Sequence, residues 1–121
     1  MGRPTSLKID PTQSVSIEVA GFTPHVFRYK MWLKLAGTTK WEFAGKGTTG
    51  ASVPDRLTLP VVTPSTRLQC WLGIAAAQSL PCRAEFRVEQ GGTLVPGGKW
   101  DESDPMTGKT ATAIPWILEL V

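Results

Sequence analysis

Histidine occurs once in this 121-residue chain, at position 25, tyrosine once, at 29, and cysteine twice, at 70 and 82. A single imidazole, with no serine or cysteine in a nucleophile motif and no carboxylate at suggestive spacing, offers neither a catalytic triad nor a histidine metal site. The expectation is a protein that is not an enzyme and uses no cofactor. No segment approaches the roughly 20 apolar residues that span a bilayer, and Met1 to Asp10 holds no apolar run of signal-peptide length. A soluble chain without an export signal or a membrane partner is expected. Lys/Arg runs are missing too, and a net charge of +3 is mild, which argues against a nucleic-acid partner.

What is present suits one β-rich core. The chain is 41% hydrophobic and 19% charged, excluding a mostly disordered polymer, and twelve glycines and ten prolines are spread along it. That punctuation leaves little room for helices. The expected architecture is an all-β, two-sheet antiparallel sandwich of seven or eight strands, one domain over residues 1–121.

Period-two alternation marks the strands. Val15, Ile17 and Val19 share a face in Ser14–Ala20. Over His25–Ala36, Phe27, Tyr29, Met31, Leu33 and Leu35 point one way, and Val26, Arg28, Lys30, Trp32 and Lys34 the other. Gly37-Thr38-Thr39 turns the chain into a strand at Lys40–Lys46, with Trp41 and Phe43 on one face. Gly45 to Pro54 looks like a mobile loop, and Gly21 to Pro24 like a turn. Arg56–Val62 is a strand that Pro60 confines to an edge or bulge. Residues Arg67–Ala75 turn Leu68, Cys70, Leu72 and Ile74 inward and Arg67, Gln69 and Trp71 outward. Arg83–Glu89 turns Ala84, Phe86 and Val88 inward and Arg83, Glu85 and Arg87 outward.

Residues 1–13 are an N-terminal segment, and residues 91–111, rich in glycine, are a long loop with one short strand at most, at Thr93–Val95. Residues 112–121 are a closing strand. Its apolar run, Ile114, Trp116, Ile117, Leu118, Leu120 and Val121, implies burial on both faces, inside this domain or against another chain. Pro115, lacking an N–H, places at least the start of that strand at an edge. If residues 67–75 and 83–90 form a hairpin, Cys82 falls opposite residue 75, too far from Cys70 for a disulfide. Two free, buried thiols are expected, which favours a reducing compartment such as the cytoplasm.

The succession of long strand, hairpin, loop, strand, proline turn and strand over residues 14–92 resembles the second half of fibronectin type III and related immunoglobulin-like domains. The segment Asp55 to Leu68, with Pro60 and the Pro64-Ser65-Thr66 turn, carries the likeness. Leu68 and Cys70 stand where such domains place an inward tyrosine, and an apolar strand follows residue 110. The resemblance implies that strands 25–36, 40–46, 67–75 and 83–90 share a sheet, with 25–36 beside 67–75. Trp32 and Trp71 then meet on its outer face, among Arg28, Lys30, Lys34, Gln69, Arg83 and Arg87.

Such a face suits a protein partner or a second copy, and the same indoles offer a stacking platform for an oligosaccharide, as in a lectin-like module. Trp116, Leu118 and Leu120 mark a C-terminal edge that can pair with a neighbouring chain. Asp101, Glu102 and Asp104 are a weak candidate for a calcium site, because the full ligand spacing of a calcium loop is missing. The alternative explanation for the indoles is that the C-terminal strand or a long loop covers them.

Overall fold

The computed structural model describes residues 2–22, 25–49 and 54–121. Among them are nine strands and no helix: β1 (Ser6–Leu7), β2 (Ser14–Phe22), β3 (Val26–Lys34), β4 (Glu42–Thr49), β5 (Asp55–Val61), β6 (Thr66–Ala75), β7 (Cys82–Gln90), β8 (Thr93–Asp104) and β9 (Ala111–Leu120). They form a two-sheet β-sandwich, with one sheet ordered β1-β9-β6-β3-β4 and the other β5-β2-β7-β8. The expected alternation builds the core. Ile17, Phe27, Met31, Leu72 and Phe86 are all fully buried, and each such side chain contributes about 1.5–3 kcal/mol relative to exposure. Phe86 and Trp100 stack at 5.4 Å, and Trp116 meets both edge-on.

The strand β3 lies antiparallel to β6, in register from Val26↔Ala75 to Lys34↔Arg67, as expected. The strand at 83–90 does not join them. As β7 it lies between β2 and β8 in the second sheet, because the chain crosses the sandwich after Ala75 instead of turning back as a hairpin. Cys70 and Cys82 are therefore on opposite sheets and not along one hairpin, and both are free and buried.

The stretch 91–111, expected to be a loop, is mostly the twelve-residue β8. Gly91 and Gly92, at φ 59° and 77°, turn the chain tightly from β7. A register shift between Arg87 and Glu89 then breaks the alternation, which hides the strand from a search for strict period two. Likewise Gly45–Thr49 continues β4 rather than opening a loop, and residues 50–53 of that stretch lie outside the described residues. Gly21 and Phe22 belong to β2, while residues 23–24 of the expected turn are not described.

Two further expectations change. The strand β9 is inside the five-stranded sheet near its end, where β1 pairs with Glu119 and Leu120. From Ala111 to Leu118 its only strand partner among the described residues is β6, and Pro115 is on the side that no described strand pairs. Trp116, Leu118 and Leu120 turn their side chains into the core and are buried, so the open edge of β9 offers its backbone and not these three side chains. The N-terminal segment is part of the packing, with Leu7 and Ile9 buried. Arg3 reaches β8, where its Nε and Nη2 donate to Glu102 Oε1 and Oε2 at 2.5 and 3.1 Å.

Candidate functional site: the outer face of the five-stranded sheet

Strand register sets the outer face out in rows. Val26 of β3 lies beside Ala75 and then Ala111; Arg28 lies between Thr48 and Gly73, with Ala113 beyond. The next row runs Lys46, Lys30, Trp71, Pro115, and the one after it Phe43, Trp32, Gln69, Ile117. Lys34, Arg67 and Glu119 complete the face. Trp32 and Trp71 are thus diagonal neighbours, each within reach of the other's strand.

Neither indole is covered by β9, which extends the same sheet instead of crossing over it. Trp71 is 37% exposed, Phe43 56% and Ile117 53%. Trp32, half-buried, packs edge-on against Phe43 with ring centroids 5.9 Å apart. Trp71 lies along its own strand with the six-membered ring over Gly73, where any Cβ would collide with it. Lys30 Nζ stands 5.9 Å from the Trp71 ring centroid, a cation–π contact. Beside the indole opens a cleft of about 650 Å³, lined by Gly73, Ala75, Ala111 and Ala113, with Val26 and Arg28 also lining it.

Charge separates the two outer faces of the sandwich. On the four-stranded sheet, Arg56 pairs with Glu18 and Glu89 at 2.9 and 3.2 Å, and Arg87 with Glu89 and Glu85 at 3.5 and 3.9 Å. Lys99 reaches Glu85, and Arg83 reaches Asp101, each at 3.9 Å. On the five-stranded sheet Arg28, Lys30, Lys34, Lys46 and Arg67 form no ion pair among the described residues.

Of the residues expected at the site, Trp32, Trp71, Arg28, Lys30, Lys34 and Gln69 are together. Arg83 and Arg87 are on the opposite sheet, engaged with acids. Phe43, Lys46, Ile117 and the small-residue cleft belong to the face and were missed. A register shift in β4, at the Met31/Trp32 position of β3, puts Phe43 and Lys46 on the same side despite their odd and even numbers. The apolar run of β9 was the available signal for Ile117, since it asked for burial on both faces.

The acidic residues do not converge. Asp101 faces outward to Arg83, whereas Glu102 points into the sandwich and accepts from Arg3 and Trp100 Nε1. Asp104 accepts from the Met106 N–H, with Lys109 nearby at 3.2 Å, and these partners hold its carboxyl below the usual range. No group of three or more potential ligands that could hold a metal occurs among the described residues. Burial pushes the Cys70 thiol far above its ordinary pKa and raises Cys82 as well, the reverse of nucleophile activation. Comparison with protein families, with curated proteins and with solved structures found no match for this chain.

Proposed function

We propose that this protein is a non-catalytic interaction module that binds a protein partner through the outer face of its five-stranded sheet. The carrying observation is the contrast between its two outer faces. One is covered with mutually neutralising ion pairs. The other sets exposed Trp71, Phe43 and Ile117 among cations without carboxylate partners. Contiguous apolar surface rimmed by polar groups is characteristic of contact sites, and aromatic residues with arginine dominate binding energy at such sites.

An oligosaccharide reading rests on the indole of Trp71, laid over Gly73 with part of its surface exposed. The protein reading fits the surroundings better. Sugar hydroxyls need paired acceptors and donors, and this face supplies Gln69, Glu119 and the Thr48 hydroxyl among five cations.

Quantitative affinity purification with the wild type, Trp71→Ala/Ile117→Asp and Arg83→Ala tests the proposal. Proteins retained by the wild type and by Arg83→Ala, but lost from the double variant, support it. Equal capture by all three, or a glycan array on which Trp71→Ala alone abolishes binding, sinks it.

A further inference from the structure

Resting on the docking face proposed above, we infer that its occupant is an acidic protein segment, which seats one apolar side chain in the cleft beside Trp71 and sets carboxylates against Arg28, Lys30 and Lys46. Lys30 and Lys46 are directly opposite one another on β3 and β4, an arrangement that is repulsive unless an anion intervenes. Like charges also oppose one another on the other sheet, Arg87 to Lys99 and Glu85 to Asp101. There each is balanced within the protein: Glu85 serves both Arg87 and Lys99, and Arg83 serves Asp101. Lys34 and Arg67 at least have Glu119 in their own row. Arg28, Lys30 and Lys46 have no carboxylate in their rows, so the missing counter-charge is supplied from outside.

The cleft narrows the choice of partner. Its volume of about 650 Å³ and its lining of Gly73, Ala75, Ala111 and Ala113 suit an aliphatic or aromatic side chain, within the usual size range of a binding pocket. A single strand of nucleic acid calls for successive stacking platforms, but Trp32 is held edge-on to Phe43 and leaves Trp71 as the main platform. A second copy docking through the same face brings the same cations together, since a two-fold contact is self-complementary. Acidic polypeptide satisfies both halves of the face.

The test uses four probes: a random glutamate–tyrosine copolymer, polyglutamate of equal length, oligo-thymidine and phosphatidylserine vesicles. Binding is followed by tryptophan fluorescence and by amide shifts in heteronuclear NMR. The copolymer is expected to bind most tightly, shifting amides around Lys30, Trp71 and Ala113, with polyglutamate weaker. Lys30→Glu/Lys46→Glu is expected to weaken the copolymer roughly tenfold or more, while Arg83→Ala leaves it unchanged. Both lysines are exposed, and near-ultraviolet circular dichroism checks that the double variant keeps its fold. Tighter binding of oligo-thymidine or vesicles, equal binding of both polypeptides, shifts on the ion-paired face, or no binding overturns the inference. Face-dependent capture in the purification experiment, combined with copolymer failure, rejects the acidic partner alone; loss of face-dependent capture rejects the docking face itself.

Discussion

Tyr29 shows how one side chain ties the two sheets together. It projects inward from β3, 1% exposed, and its hydroxyl donates to Asp55 Oδ2 on β5 at 2.5 Å. Gly47, its neighbour on β4, leaves room for this bond, because a Cβ there would strike both Asp55 and the phenol. Burial, and then the bond to Asp55, raise the Tyr29 pKa well above its ordinary value. A group whose pKa is raised on folding contributes stability that is present below the unfolded value and lost as pH climbs toward the folded one. Thermal stability is therefore expected to fall from about pH 10 upward, and Tyr29→Phe is expected to flatten that fall. Melting curves across that range check it; an identical slope in the variant counts against it.

The two core tryptophans allow a finer comparison. Trp100 Nε1 donates to Glu102 Oε1 at 3.2 Å, whereas Trp116 Nε1 is buried with no acceptor among the described residues. Replacement by Phe removes similar volume at both sites, but only at position 100 does it deprive a buried carboxylate of a donor. Trp100→Phe is expected to be the more destabilising by about 1 kcal/mol in urea titrations.

Among elements, the N-terminal segment adds a charged contact to its pairing with β9 and its buried Leu7 and Ile9. Glu102 is buried and receives both of its charge-assisted bonds from Arg3, so truncation at position 3 leaves that carboxylate with Trp100 as its remaining donor. Arg3 is itself partly exposed, which moderates the loss. Arg3→Ala is expected to cost about 1–3 kcal/mol, and Arg3→Ala/Glu102→Met to recover most of it. Denaturant titration of the two variants decides, since equal losses would mean that the pairing carries no weight. That segment was not legible in the sequence: β1 is two residues long, and its partner lies more than a hundred positions away. Strands β2, β3, β6 and β7 were legible because one face of each is buried and alternation records it. The strand β8 was not, because glycines and a register shift interrupt its period. About half of the site was legible for the same reason. Trp32, Trp71, Arg28, Lys30, Lys34 and Gln69 follow from parity on β3 and β6. Parity is blind to which sheet a strand joins; the resemblance to immunoglobulin-like domains supplied that assignment, and it put Arg83 and Arg87 on the wrong sheet.

At the scale of the whole molecule, apolar attraction and charge act against one another on the five-stranded face. Two copies brought face to face would bury Trp71, Phe43 and Ile117, and would also oppose Arg28, Lys30 and Lys46 of one to those of the other. Repulsion between exposed charges reaches about 10 Å at 0.1 M salt but only about 3 Å at 1 M, while apolar attraction is not screened. The protein is therefore expected to be monomeric at low ionic strength and to associate as salt is raised. Ile117→Asp should abolish that association and Lys99→Glu, on the other sheet, should leave it intact. Light scattering after size exclusion, run at both salt concentrations, measures this directly. A dimer already present at low salt and indifferent to Ile117→Asp would place self-association on another surface and leave the cationic face to its acidic partner alone.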